Sequence, residues 1–112
     1  MAEEPQYLYL TTIGRKTGLP REIEIWFTSL DGRFYLIAEK RERANWVQNI
    51  LGNPRVTFRV GEQKFSGLGR VIDETSESDL PRRVRERFDR KYGWSEGLMI
   101  ELRPSGKDEH QP

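Results

Sequence analysis

The chain has 112 residues, 33% of them charged, and its 19 basic and 18 acidic side chains leave a formal net charge of +1. A chain of that length buries roughly 65% of its unfolded surface, enough for one core and no second domain, and the near balance of charge gives no global pull toward nucleic acid or a membrane surface. Cysteine is absent and the one histidine, His110, lies in a polar C-terminal stretch, which excludes disulfides, thiolate nucleophiles, a Ser-His-Asp set and a zinc constellation on the folded part.

The start, Met1 to Pro5, is acidic, and no apolar run approaches the ~18 residues of a membrane span. A cytoplasmic protein with no membrane and no nucleic-acid partner is expected. Residues 1–6 read as a flexible N-terminus, 7–103 as a single domain and 104–112 as a disordered tail.

Tyr7 to Leu10 alternates aromatic and aliphatic residues and predicts a strand. It runs into Thr11-Thr12-Ile13-Gly14-Arg15-Lys16-Thr17-Gly18, where two glycines permit a tight path and hydroxyls and cations stand together, with Arg21 close behind. This stretch reads either as a phosphate-binding loop or as a basic solvated turn; it is not a Walker loop, since no helix pattern follows. Ile23, Ile25 and Phe27 then alternate with Glu22, Glu24 and Trp26, a half-buried strand whose polar face carries one large aromatic. Asp31-Gly32 is a hairpin signal, pairing that strand with Phe34 to Ala38. The charge run Glu39 to Arg43 reads as a solvated loop.

Asn45 and Gln48 resemble a capping box for a short helix with Trp46, Val47, Ile50 and Leu51 on its apolar face, covering one opening of the sheet and ending at Gly52-Asn53-Pro54. Strands follow at Arg55 to Val60 and Lys64 to Ile72, the second with Gly67 and Gly69 marking a bulge or close backbone approach. From Ser78-Asp79-Leu80-Pro81 the period turns helical, with Leu80, Val84 and Phe88 spaced by four among six basic residues, and Tyr92-Gly93 ends it. Leu98, Ile100 and Leu102 form a last strand.

With no histidine base, an enzyme on this scaffold needs a bound cofactor to carry the reactive group, the protein supplying pocket, orientation and charge. The ordered set Thr11-Thr12-x-Gly14-Arg15-Lys16-Thr17-Gly18-x-Pro20-Arg21, then Trp26-Phe27, Asp31-Gly32, Tyr35 to Ala38 and Asn45-Trp46-Val47-x-Asn49-Ile50-Leu51-x-Asn53-Pro54-x-Val56, resembles the deazaflavin-dependent nitroreductase family of the flavin-binding split-barrel group. The likeness covers about residues 8 to 72. It implies a mainly β fold, a split β-barrel of about six antiparallel strands with one short helix over the barrel and one longer helix before the last strand.

It also implies a cofactor, the 8-hydroxy-5-deazaflavin coenzyme (F-420) or alternatively FMN, and hydride transfer to a small electrophilic substrate such as a quinone, nitroaromatic or enone. Protonation would come from solvent or a tyrosine. Carried over, Arg15, Lys16 and Arg21 contact the phosphate with Thr12 and Thr17 beside them, and Lys40 is a further basic contact. Trp26 stands beside the ring, Ala38 and Glu39 lie on the strand end that passes it, and Trp46 and Asn49 face the pocket from the helix. Tyr92 and Trp94 are the candidates for an aromatic near the substrate. The sequence departs from the family where a Gly-Gly often follows the strand, here Lys40 to Arg43, and where a proline often stands, here Glu24.

The competing readings are a non-catalytic flavin-like or small-ligand binding module of the same fold, favoured if Glu24 and Glu39 face the ring, and a nucleic-acid module on the basic helix. The surfaces of Trp26 and Tyr35 suit a homodimer.

Overall fold

A computed structural model describes residues 4–76 and 79–107. Seven antiparallel strands form one sheet: β1 (Tyr7–Ile13), β2 (Pro20–Trp26), β3 (Thr28–Leu30), β4 (Arg33–Ala38), β5 (Arg55–Val60), β6 (Gln63–Val71) and β7 (Leu98–Lys107), in the spatial order β2-β1-β5-β6-β7-β4-β3. The two outer strands, β2 and β3, are consecutive in the chain with Phe27 alone between them. The sheet must therefore curl until its edges meet, which makes a barrel split between β2 and β4.

The strand count exceeds the expected six because the segment before the hairpin breaks at Phe27. Its first part, β2, pairs with β1 through Tyr7 opposite Trp26 and Thr12 opposite Arg21, and not with β4 as the hairpin reading had it. Only β3 completes the hairpin, Leu30 opposite Arg33, across Asp31 and Gly32 at φ 55° and 80°. Two consecutive positive φ values match the right-handed strand twist of a two-residue hairpin. At the break, the Phe27 amide donates to the Tyr92 hydroxyl at 2.9 Å and its carbonyl accepts from Lys91 Nζ at 2.9 Å, so backbone groups that leave the ladder are satisfied by side chains.

Inside the barrel, Leu8, Leu10, Phe27, Leu36, Val56, Phe58, Ile100 and Leu102 form the main core, with Val47 and Ile50 of helix α1 (Asn45–Gly52) closing it. A second core, Tyr35, Ile37, Ile72, Val84, Phe88 and Met99, lies between the outer sheet face and helix α2 (Asp79–Tyr92). β4 and β7 are thus covered on both faces, which explains the unbroken apolar run of β4. Each large apolar side chain so buried contributes about 1.5–3 kcal/mol. Tyr35 is buried and donates to Glu101 at 3.0 Å, so it offers no surface to a second copy.

β6 bulges at Ser66/Gly67, where a Cβ on Gly67 would come within 2.2 Å of the Arg103 carbonyl oxygen, and Gly69 makes room for Ile50. The capping box is not formed: Ala44 caps α1 with no side-chain bond, Asn45 Oδ1 accepts from Arg15 at 3.4 Å, and Gln48 Nε2 reaches back to the Glu42 carbonyl at 2.6 Å. Leu51, expected on the apolar face, is 56% exposed, because the helix ends one residue later and turns that side outward. The charge run folds into a 3-10 turn at Arg41–Arg43 with exposed side chains.

Residues 4–6, read as a flexible start, carry contacts: Glu4 accepts from the Ser29 amide and from Lys91, both at 2.9 Å, and the Gln6 carbonyl accepts from Tyr92 at 2.7 Å. β7 continues to Lys107, four residues into the stretch read as tail; residues 1–3 and 108–112 lie outside the described residues. The basic face of α2 is largely engaged at home, Arg82 by Asp79 and Glu86, Arg85 by Glu74, Arg87 by Thr28 and Lys91 by Glu4. Among the described residues no helix is long and apolar enough to cross a membrane.

Candidate functional site

Where the barrel splits, β2 is the sheet edge, and β4 beyond Tyr35 has a ladder partner only on its β7 side. A groove of about 1220 Å³ opens between them under α1 and the loop after β1. All ten residues singled out in the sequence, Thr12, Arg15, Lys16, Thr17, Arg21, Trp26, Ala38, Lys40, Trp46 and Asn49, line it.

The loop from Gly14 to Leu19 is held by its own bonds. The Gly14 amide donates to the Leu19 carbonyl, the Gly18 amide to the Gly14 carbonyl, both at 2.8 Å, and Thr17 Oγ1 accepts from the Leu19 amide at 3.1 Å. A Cβ at Gly14 would stand 2.8 Å from Thr17 Oγ1, so the tight path needs glycine there. The loop is pinned to α1 by Asn49, whose Oδ1 accepts from both the amide and the guanidinium of Arg15 at 3.1 Å and whose Nδ2 donates to Thr12 Oγ1 at 3.1 Å. Thr12 and Asn49 are buried and satisfied by each other. They are positioning residues for Arg15.

The side chains of Lys16, Arg21 and Lys40 have no ion-pair or hydrogen-bond partner among the described residues. With Arg15 they line one groove, a local gathering of positive charge on a chain with a net charge of only +1.

Strand alternation sorts the rest of the lining. Thr12 and Arg21 face each other on the inner side, with Ala38 of β4 inward as well. Tyr7 and Trp26 face each other on the outer side, Tyr9 and Glu24 next to them. Trp26, 38% exposed, stacks on Tyr92 with centroids 4.3 Å apart and planes at 7°, and meets Trp94 edge-on at 6.1 Å and 70°. Burial pushes the Tyr92 hydroxyl up to about 12, against the bond from the Phe27 amide, with Glu4 nearby adding to the rise. Trp46 does two jobs, packing on the main core while lining the groove.

Tyr7, Ile37 and Asn45 also line the groove and were not assigned there from sequence, while Glu24, Glu39 and Trp94, weighed from sequence as neighbours of the ring or substrate, line it too. Tyr7 was legible in principle, as the outward residue opposite Trp26, but that needs the register of β1 on β2. Among the described residues no group of three His, Asp or Glu side chains could hold a metal ion.

The sequence profile of a family described as F420H(2)-dependent quinone reductase matches residues 1–94. No curated protein sequence matches the chain. Among solved structures, an F420-H2 dependent reductase, FDR-A, superposes with a TM-score of 0.66 at 16% identity, covering 91% of this chain and 97% of that one. An FAD-binding protein from Mesorhizobium loti gives 0.73 at 14% identity over 92% and 83% of the two chains. The heme storage protein HutZ from Vibrio cholerae gives 0.69 at 18% identity over 90% and 82%. At such identities these structures speak for the fold alone.

Proposed function

Since the chain belongs to the F420H(2)-dependent quinone reductase family, we propose that the groove in the barrel split binds the reduced deazaflavin coenzyme and presents it to a quinone or similar small electrophile. The reading rests chiefly on one observation, the side chains of Lys16, Arg21 and Lys40, in no ion pair among the described residues, lining one groove of about 1220 Å³ with the glycine-tightened loop. A phosphate suits that donor set, since arginine offers a fork and lysine a compact charge to its oxygens. When bound, the coenzyme supplies the hydride; the chain supplies the rest.

In this reading Arg15, Lys16, Arg21 and Lys40 hold the anionic end, with Asn49 and Thr12 fixing Arg15. Ala38, small and on the inner side, leaves room for the ring beside β4, and Trp46 closes the groove from α1. Trp26, braced by Tyr92 and Trp94, walls the acceptor side and helps exclude water.

Glu24 and Glu39 line the groove, the arrangement that was expected to weigh against an anionic coenzyme. Strand geometry limits their effect. Glu24 is three residues along β2 from Arg21, roughly 10 Å at ~3.3 Å per residue. Two unit charges at that distance in water repel by only about 0.4 kcal/mol. Glu24 so placed leaves the phosphate end favourable, and the charge of Glu39 is offset by Lys40, its neighbour in the chain.

The test is a titration of the purified protein with the oxidised deazaflavin coenzyme and with FMN, followed by tryptophan fluorescence. The coenzyme binds, and Lys16→Ala with Arg21→Ala weakens it about 100-fold, the sum of two charge-assisted bonds of ~1.5 kcal/mol each. Equal binding to the wild type and the double variant refutes the phosphate end. No binding of either compound refutes the reading as a whole.

A further inference from the structure

Carboxylates as well as cations line the groove, and the coenzyme reading gives the carboxylates no role. On the outer wall, Trp26 and Trp94 meet edge to face with planes at 70°, Tyr92 covers one face of Trp26, and Tyr7 stands directly across the ladder from Trp26. Tyr7 is exposed, as are Glu24 and Glu39. Glu24 shares the outward face of β2 with Trp26, and Glu39, in the turn that follows β4, lines the same groove. By contrast Glu22, the next outward residue on β2, is neutralised by Arg59 at 3.6 Å. Glu24 and Glu39 have no basic partner among the described residues.

Aromatic faces carry negative quadrupole potential, so a cation against indole or phenol rings is attracted, most of all where it is partly desolvated. Two carboxylates at the rim add to that potential. From this juxtaposition we infer that the outer wall of the groove is a subsite for a planar aromatic cation, and that electron acceptors carrying a delocalised positive charge, such as N-alkylated aza-aromatics, are a substrate class of this protein. The inference rests on the coenzyme reading for its catalytic half. Its binding half stands alone.

The chemistry is consistent with the residues present. Addition of hydride to a carbon of an N-alkylpyridinium-type ring forms one C–H bond and discharges the positive nitrogen. The two electrons and the hydrogen come from the reduced coenzyme, which is oxidised, and no proton has to be delivered. No histidine lies in the groove lining, and Tyr92, the one tyrosine stacked on Trp26, spends its hydroxyl on Phe27 and Gln6. Tyr7 keeps a phenol on this wall for acceptors that need an acid, and a cationic acceptor needs none. The neutral product also loses its attraction to Glu24 and Glu39, which favours release.

The experiment titrates the protein, without coenzyme, with N-methylquinolinium and with its neutral isostere 1-methylnaphthalene, reading tryptophan fluorescence, and repeats both with the Glu24→Gln, Glu39→Gln protein. Both carboxylates are exposed, so the variant folds as the wild type does. Affinity for the cation falls about tenfold in the variant, while that for the isostere is unchanged. The same loss for both compounds, or none for the cation, overturns the subsite. A separate coenzyme titration divides the two readings: cation binding without coenzyme binding leaves the subsite standing and ends the catalytic half, and coenzyme binding without discrimination between the two probes ends the inference alone.

Discussion

Asn49 offers the sharpest test of how the loop is held. Its side chain, 5% exposed, makes three hydrogen bonds of 3.1 Å, two accepted from Arg15 and one donated to Thr12. Asn49→Ala leaves the Arg15 amide and the Thr12 hydroxyl without that partner, the second of them at a residue only 1% exposed. An unsatisfied buried polar group costs about 1–3 kcal/mol, and the better helix propensity of alanine returns about 0.5 kcal/mol. The balance is a loss of about 0.5–2.5 kcal/mol. For a domain of this size that lowers Tm by roughly 2–10 °C, at about 4 °C per kcal/mol. Urea unfolding followed by tryptophan fluorescence measures it, with an unchanged slope showing that the unfolding unit is the same. Arg15→Ala is the companion: its side chain is exposed and its amide keeps the Asn49 bond, so stability changes by less than about 1 kcal/mol while coenzyme affinity falls. A loss below about 0.5 kcal/mol in Asn49→Ala would refute the pinning of the loop.

Three further outcomes are expected. Gly67→Ala puts a Cβ 2.2 Å from the Arg103 carbonyl, backbone against backbone, and destabilises by more than about 3 kcal/mol, read as loss of a cooperative melt. Burial alone would raise the carboxyl pKa of Glu101, but the bonds from Arg70 and Tyr35 and the charges of Arg70 and Arg33 outweigh it and hold it below the usual value. Its stabilisation is therefore complete above the unfolded value near 4.5 and is lost as pH falls through the folded one, so Glu101→Gln is less stable at pH 7 but has a flatter acid limb. Tyr92, raised to about 12, stabilises fully below its ordinary value of 10.0 and loses that contribution as pH rises from there to about 12; Tyr92→Phe removes this alkaline loss and alters the emission of Trp26.

Much of the site was readable from local chemistry. The glycine-basic loop, the Asp-Gly hairpin and the lone aromatic on a polar strand face are short-range signals, and each depends on residues within a few positions of one another. The break at Phe27 was not readable, because a continuous alternating segment carries no mark of changing partners; the reason lies in Lys91 and Tyr92, more than sixty residues away. Asn45 looked like a cap because its spacing to Gln48 fits one, yet tertiary contact with Arg15 claims its side chain. Glu101 alternates with apolar residues like any surface position, and only the packing of α2 over β4 and β7 puts it in a second core beside Tyr35. Outward parity placed Glu24 and Trp26 together, but the approach of Glu39 and Trp94 from other elements is a property of the split itself.

The central claim is that the split barrel presents a reduced deazaflavin coenzyme to an acceptor. The most direct measurement mixes the reduced coenzyme with the protein and a quinone such as menadione and follows oxidation of the coenzyme by its absorbance. Turnover that requires protein and quinone together, and that falls in step with coenzyme affinity in the Lys16→Ala, Arg21→Ala protein, is the predicted result. Tight binding of the coenzyme without oxidation by the quinone or by N-methylquinolinium would contradict it.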